Sequence, residues 1–251
     1  MSGWLPVAAS AHAGDIDRIL TLVHGLMFAL FAGWTIFFVY VLVRFRRSRH
    51  PIASYRGIEG RGFTWLELAV VLAEVVLLAF FSIPAWSARV DAFPSEASST
   101  VVRIVAEQFS WNVHYPGADG RFGRTALELV DVDNPLGLDR RDPAARDDVT
   151  LVNELHLPLG RPAILLLSSK DMVHSLGLPQ MRVKQDAVPG LVQPVWFTPT
   201  RTGAWDFTCS QLCGLAHYRM KGRYFIETPA AFAAWLAQAA RSNVSEPRVT
   251  P

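Results

Sequence analysis

The chain has 251 residues, 51% of them hydrophobic, and its formal net charge at pH 7 is only +2. This near balance of charge gives no signal for nucleic-acid binding, and the positive mean hydropathy of +0.22 points to membrane segments. The length allows one or two domains, and neither low-complexity tracts nor repeats of fixed period are visible.

Two stretches are long and apolar enough to cross a membrane, residues 20–43 and residues 64–83. A spanning helix needs about 20 mostly apolar residues. A secretory signal is the alternative for the first stretch, but no basic region precedes it and four arginines follow it, namely Arg44, Arg46, Arg47 and Arg49. We interpret it as a retained span, and removal of a short leader stays open.

Basic residues predict how the two spans are oriented. The connection between them carries six arginines and one acidic residue, Glu59, whereas Arg18 precedes the first span beside two aspartates. Because loops rich in Lys and Arg stay in the cytoplasm, both termini are expected outside. The chain then divides into an N-terminal segment with a two-helix transmembrane hairpin, residues 1–89, and an exterior domain, residues 90–251.

The second span contains two carboxylates, Glu67 and Glu74. Carboxylates inside a membrane are costly and usually functional. Thr64-Trp65-Leu66-Glu67 also has the pattern of a capping box, in which Glu67 would cap the helix start, and both interpretations stay open. Glu74 shares the face of Glu67 about 10 Å deeper, and we expect it to be buried against a partner.

The exterior domain reads as a series of short strands. β-branched and aromatic runs alternate with Gly, Pro and Asp from about residue 90 onward, which predicts an all-β sandwich or a Greek-key barrel. The charged stretch 119–150 is expected to be a surface excursion, although its LELVDV segment has the composition of a short strand.

A terminal helix is predicted over residues 228–241. Thr228 can cap it, and Phe232, Trp235 and Leu236 share one face. The polar tail after Ser242 is expected to fray.

The most informative motif is CSQLCGLAHYRM, which contains Cys209, Cys213, His217 and Met220, and His174 stands upstream in DMVHS. Two thiols, two imidazoles and a thioether form a soft donor set. Zinc has little use for Met, whereas copper electron-transfer sites take Cys, His and a weak axial Met. One copper needs a single Cys, so the second Cys suggests two coppers bridged by two thiolates.

Other interpretations compete with this one. The two cysteines could form a disulfide in an oxidising compartment, and His174 could be an ordinary core or surface histidine. The spacing would also suit one face of a helix, but the aromatic, β-leaning segments GAWDFTC and GRYFIE on either side favour a loop between two strands.

Taken together, DMVHS, QDAVPG, CSQLCGLAH and Met220 resemble subunit II of haem-copper cytochrome c oxidases, and the resemblance covers nearly the whole chain. It implies a transmembrane hairpin in the bacterial inner membrane, followed by an all-β, cupredoxin-like Greek-key sandwich with a short C-terminal helix. The copper ligands that it implies are the bridging Cys209 and Cys213, one histidine for each copper (His174 and His217), and the weak ligands Met220 and the backbone carbonyl of Gln211.

The resemblance also implies a role. Electrons from a cytochrome c pass to a haem in the catalytic subunit I, where oxygen is reduced to water and protons are pumped; subunit III is a further partner. Glu67 aligns with the family glutamate at the mouth of a proton-uptake channel. Haem is expected only in partner subunits, because a fused haem domain needs CxxCH and both cysteines are assigned to copper.

Three positions depart from the family pattern. Gln211 stands where the family commonly has a Glu that binds Mg or Mn, which puts that ion site in doubt although Asp186 is present. Phe109 replaces the Trp that receives the electron, whereas Trp111 matches the family's second Trp or is an ordinary strand aromatic. His114 stands where an acidic residue often helps to dock cytochrome c.

Two other functions compete with electron transfer from cytochrome c. Quinol oxidase subunits lose the copper ligands, and this chain keeps every one. A membrane-anchored copper-delivery protein would not need two spans with an aligned carboxylate. The identity of the electron donor and the haem types of the partner stay open.

Overall fold

The computed structural model describes residues 5–52, 55 and 60–245. These residues form two compact units. The first unit is Gly14–Ala92, and the second consists of residues 5–13 together with the chain from Phe93 onward. The expected boundary after residue 89 falls three residues before this division. Part of the predicted connection, including Arg56 and Glu59, and the end of the predicted tail lie outside the described residues.

The first unit is helical. Its elements are α1 (Ala13–Arg44), α2 (Arg61–Leu77), a π-helical turn (Leu78–Ser82) and α3 (Ile83–Val90). The last three run on as one helix, Arg61–Val90, and this helix and α1 are both long and apolar enough to cross a membrane. No residue in the most apolar window of either helix is buried within the chain, so these surfaces are free to face lipid or partner subunits.

The predicted capping box at Thr64–Glu67 is wrong. α2 begins at Arg61 with Gly60 as its N-cap, and no side chain caps this end. Glu67 therefore lies in the second turn, beyond the unpaired amides of the helix start. Capping of the helix start therefore does not explain the presence of this carboxylate.

The second unit is a β-sandwich of two five-stranded sheets. The strands are β1 (Thr100–Glu107), β2 (Ser110–Tyr115), β3 (Val149–Val152), β4 (Glu154–Pro158), β5 (Ala163–Ser169), β6 (His174–Leu178), β7 (Val183–Ala187), β8 (Gln193–Phe197), β9 (Gly203–Cys209) and β10 (Lys221–Glu227). One sheet has the order β3-β2-β1-β5-β8 and the other β4-β10-β9-β6-β7. The pairs β1–β5 and β4–β10 are parallel, and the other pairs are antiparallel.

The core lies between the two sheets. Along β1 the buried residues alternate with partly exposed ones, as expected when one face of a strand packs inward. Val102, Ile104, Leu165, Leu167 and Phe207 are fully buried there. The predicted sandwich behind two apolar helices, followed by a terminal helix, is confirmed.

Two local features differ from the expectations. β6 was not predicted as a strand, because all five residues of HSLGL are buried and the alternation that reveals a strand is missing. LELVDV is not a strand: Leu127–Leu129 form a 3-10 turn, and Leu127 is 87% exposed. Because this apolar segment has no buried face, packing against the core does not stabilise it as a strand.

A short segment before α1 is built into the sandwich unit. The Ala9 amide donates to the Gln180 carbonyl at 2.8 Å, and the Ala9 carbonyl accepts from the Thr200 amide at 2.9 Å. Ser10 Oγ donates to the Met181 carbonyl at 2.7 Å, and the Ala9 side chain is fully buried in the core. We call residues 5–13 the N-terminal strap.

A buried His–Asp pair anchors the surface excursion to the sandwich. Asp148 Oδ2 accepts from His114 Nε2 at 2.7 Å and from the Gly123 amide at 2.8 Å. His114 is 1% exposed, so the side chain that departs from the family pattern at this position serves the interior of the domain.

The surface excursion also contains a cluster of ion pairs, and we expect the stability of this segment to fall in acid. Hydrogen bonds from Arg124 and then Arg141 lower the pKa of Asp139 to about 2 from its ordinary 3.8. A lowered carboxylate pKa stabilises the fold above the ordinary value and is lost as the pH falls towards 2. We expect amides of residues 123–142 to exchange faster, relative to intrinsic rates, below about pH 4. Identical pH profiles in the wild type and Asp139→Asn would contradict this.

The terminal helix α4 (Pro229–Ser245) packs on the sandwich through one face. Thr228 caps it as predicted, because its Oγ1 accepts from the Ala231 amide at 3.3 Å. The imidazole of His156 stacks between the rings of Phe225 and Trp235, with centroid distances of 4.6 and 3.9 Å. The predicted apolar face of α4 therefore packs against the sandwich.

Truncating Trp235 should loosen this contact. We expect Trp235→Ala to lower the free energy of unfolding of the sandwich by about 2 kcal/mol, since the half-buried indole loses its stacking on His156 and leaves a cavity. Denaturant unfolding measures the change. The exposed Leu127 supplies the control Leu127→Ala, and equal midpoints for the two variants would show that α4 adds nothing through this ring.

Candidate metal centre

The soft donors lie where β6, β9 and β10 meet. Cys209 is the last residue of β9 and pairs with Leu176 of β6, two residues after His174. The Cys209 amide donates to the Met220 carbonyl at 3.0 Å and closes the loop just before β10. The predicted loop between two strands is confirmed, and neighbouring β6 supplies the more distant histidine.

The two cysteine sulfurs form the middle of the cluster. Their Sγ atoms are 3.8 Å apart and both thiols are free, so the disulfide alternative is not formed here. Cys209 Sγ lies 4.0 Å from His174 Nδ1 and 3.1 Å from the Gln211 carbonyl, to which it donates. Cys213 Sγ lies 3.5 Å from His217 Nδ1 and 3.6 Å from Met220 Sδ.

This arrangement is a repeated pattern. Each sulfur has one imidazole Nδ1 and one weak donor beside it, a backbone carbonyl at Cys209 and a thioether at Cys213. The ligand atoms of His174, Cys209 and Cys213 all lie within 4.8 Å of one another. This donor set fits soft metal ions, and two thiols shared between two imidazoles fit two of them.

Most of the centre is buried, and His217 is its partly exposed member. The side chains of His174, Cys213 and Met220 are buried, and so is most of Cys209. Burial, followed by the neighbouring Cys209, raises the pKa of the Cys213 thiol to about 11. The metal-free thiol therefore keeps its proton near neutral pH, and binding of a metal must release it.

A carboxylate behind the centre orients His174. His174 Nε2 donates to Asp171 Oδ1 at 2.8 Å, which leaves Nδ1 directed at Cys209. Burial raises the pKa of Asp171, but hydrogen bonds from His174 and from the amides of Gln108 and Met172 outweigh it and lower the pKa overall. We did not predict these roles of Asp171 and Gln108; a carboxylate three residues before the histidine in DMVH was the available signal.

The two aromatic residues considered for electron uptake lie in different environments. Trp111 is fully buried, with its ring centroid 6.2 Å from that of His174 and 6.0 Å from that of Phe207. Phe109 is partly exposed and lies over the cysteine loop: a Cβ placed on Gly214 would be 3.2 Å from Phe109 Cζ. Phe109 is thus the member of the pair that reaches both the surface and the loop.

Asp186 and Gln211 do not fit a hard divalent cation. Asp186 lies on β7 opposite Ser175, and its side chain is 45% exposed with Lys184 Nζ at 3.5 Å. The Gln211 side chain is neutral, and Mg or Mn prefers carboxylates. These features agree with the sequence analysis, in which Gln211 already spoke against an Mg or Mn ion at this site.

Large apolar side chains surround the centre at the surface. Leu212, Leu215 and Tyr218 are 72%, 98% and 80% exposed, and all three belong to the loop that carries the donors. Grouped apolar side chains on a polar surface are typical of contact sites for other proteins.

Comparisons with known proteins agree with this geometry. Residues 101–222 match the family model for the periplasmic domain of cytochrome C oxidase subunit II. An alternative cytochrome c oxidase subunit 2 of Bradyrhizobium diazoefficiens is 34% identical over 94% of this chain and 83% of its own length. Cytochrome c oxidase subunit 2 of Synechocystis is 28% identical over 94% of this chain and 75% of its own.

Among solved structures, the periplasmic domain of subunit II of cytochrome oxidase of Bradyrhizobium japonicum matches 60% of this chain and 99% of its own, with 25% identity and a TM-score of 0.44. Two apolar helices and relatives of this kind fit a membrane protein with a periplasmic domain. Identity at the level of the Bradyrhizobium diazoefficiens relative, over nearly the whole length, shows that the chain belongs to the cytochrome c oxidase subunit II family, the electron-transfer subunits of haem-copper oxidases.

Proposed function

We propose that this chain receives electrons for a respiratory terminal oxidase at a centre of two copper ions. The observation that carries the proposal is the repeated pattern around the two sulfurs, in which each has its own imidazole and its own weak donor. The proposed ligands are Cys209 and Cys213 as bridges, His174, His217, Met220 and the carbonyl of Gln211. When bound, the copper pair would supply a one-electron carrier between a cytochrome c and a haem of the catalytic subunit.

The chain itself provides a mostly buried and hydrogen-bonded setting for that chemistry. β6 and β9 hold His174 and Cys209 in register, and the bond between the Cys209 amide and the Met220 carbonyl fixes the far end of the loop. Asp171 keeps the His174 ring in one orientation. Ligands that move little on a change of oxidation state favour fast electron transfer, and the apolar shell tunes the potential.

The exposed part of the loop supports contact with other proteins. Leu212, Leu215 and Tyr218 offer apolar surface beside the centre, and the partly exposed Phe109 lies against Gly214 of the same loop. We assign these surfaces to a cytochrome c donor and to the catalytic subunit I. Oxygen reduction, haem and most of the proton path would belong to subunit I, with subunit III as a further partner.

The N-terminal strap supports the orientation expected from the arginines. Because residues 5–13 form part of the sandwich unit, we place this segment on the same side of the membrane as the proposed copper domain. Two spans return the chain to that side. We place both termini and the sandwich in the periplasm, and both helices in the inner membrane of a bacterium.

Glu67 is the proposed proton-uptake residue. With the capping box excluded, a carboxylate in the second turn of α2 near the basic connection has no structural role in the described part of the chain. Its position near the cytoplasmic end suits a channel mouth shared with subunit I. We assign no function to Glu74, and no Mg or Mn ion to Asp186.

Oxygen uptake by the intact oxidase tests this function. The complex containing this chain should consume oxygen with reduced cytochrome c as donor. Consumption that needs quinol and does not proceed with reduced cytochrome c would point to a quinol oxidase instead.

A further inference from the structure

The turn between β1 and β2 reaches both segments that carry the donors through one residue, Gln108. Its backbone amide donates to Asp171 Oδ2 at 2.7 Å. Its side-chain Nε2 donates to the Cys213 carbonyl at 2.6 Å and lies 3.2 Å from Met172 Sδ. The bonded residues are 63 and 105 positions further along the chain, so this residue joins three distant segments.

Each of these bonds leads to a proposed ligand without touching a ligand atom. Asp171 accepts from Gln108 with one oxygen and from His174 Nε2 with the other, at 2.8 Å. The bond to the Cys213 carbonyl holds the peptide that follows Cys213, whose sulfur lies between Cys209 and Met220. A displacement of Gln108 would therefore change the positions of both His174 and Cys213.

Gly214 permits the close approach of the turn to the cysteine loop. A Cβ at this position would lie 2.7 Å from Gln108 Nε2 and 3.2 Å from Phe109 Cζ, and the backbone has a φ of +127°. Both the contact and the conformation therefore require glycine. Gly214 therefore leaves room for the side chains of Gln108 and Phe109 against the loop.

We propose that Gln108 is a positioning residue for electron uptake. By holding Asp171 and the Cys213 carbonyl together, it keeps His174 and Cys213 at a set separation and keeps Phe109 against the loop. The part of the inference that concerns electrons rests on the proposed copper function, whereas the part that concerns the ordering of the loop does not.

Hydrogen exchange of the metal-free full-length chain tests the ordering. Gln108→Met keeps the side-chain length and removes the donor. We expect amides of residues 210–220 to exchange about fivefold faster, the effect of losing one hydrogen bond, while the β1, β5 and β9 amides are unchanged. Gln238→Met on the exposed face of α4 is the matched control and should change neither. Unchanged exchange of the loop, or equal acceleration throughout the sandwich, would overturn the proposal.

Electron uptake by the copper-loaded oxidase is the second readout. In Gln108→Met we expect the maximal rate with reduced cytochrome c to fall about fivefold at an unchanged KM, together with a shifted reduction potential of the centre. A raised KM with unchanged rate and potential would mean that Gln108 only contacts the donor, and would overturn positioning. A wild-type chain that binds no copper would refute the proposed function, and the exchange experiment would still decide the ordering.

Discussion

We expect the Cys213→Ser variant to lose the two-copper centre while the sandwich stays folded. Cys213 Sγ lies within 3.8 Å of Cys209 Sγ, His217 Nδ1 and Met220 Sδ, so it contacts three of the other proposed donors. A serine hydroxyl is a hard donor that stays protonated near neutral pH, and it cannot bridge soft metal ions as a thiolate does. Copper content and the visible spectrum of the purified chain measure the loss.

The control for this variant lies in the same loop. Leu212 is 72% exposed and is not one of the proposed ligands, so Leu212→Ala should bind copper like the wild type. Two coppers per chain in Cys213→Ser, with an unaltered spectrum, would contradict the assignment of Cys213 as a bridge.

The second large effect is expected at Asp171. Asp171→Ala removes the acceptor of His174 Nε2 and frees the imidazole to rotate away from Cys209. Loss of a residue that orients a metal-binding histidine costs about 10- to 100-fold in metal affinity, and we expect copper affinity to fall by that factor. Competition with a copper chelator of known affinity measures the change.

Asp206→Ala is the matched control for Asp171→Ala. Asp206 lies on β9, three residues before Cys209, but its side chain is 52% exposed and its partner is Lys221 Nζ at 3.6 Å. Removing this carboxylate should leave copper affinity unchanged. Equal affinities for the two variants would show that the orientation of His174 by Asp171 is irrelevant to binding.

The sequence predicted the donor set because most of it is local. Cys209, Cys213, His217 and Met220 fall within twelve residues, and their chemistry alone separates copper from zinc. His174 was harder, since it joins the others only through the pairing of β6 with β9, and β6 lacks the alternation that marks a strand. Its neighbourhood, DMVHS, identified it through family resemblance rather than through a local rule.

The long-range support of the centre was beyond local reasoning. Gln108 acts through bonds that span 63 and 105 positions, and nothing in its immediate sequence marks those partners, whereas Asp171 contacts His174 only three residues away. The N-terminal strap was hidden for the same reason, because the backbone partners of Ala9 are the distant residues Gln180 and Thr200. The capping box failed because α2 begins four residues earlier than its polar pattern suggested, at Arg61 instead of Trp65.

The strap also affects how the domain should be studied. A fragment that begins near residue 90 lacks Ala9 and the hydrogen bonds of residues 5–13, which belong to the sandwich core. The full-length chain in detergent is therefore the appropriate sample for metal binding.

The most direct test of the proposed centre is electron paramagnetic resonance of the full-length chain after copper loading, with copper counted in the same sample. The proposal predicts two coppers per chain and a spectrum in which one unpaired electron is shared by two copper nuclei. One copper per chain with a single-nucleus spectrum, or a product that takes up only zinc, would contradict it.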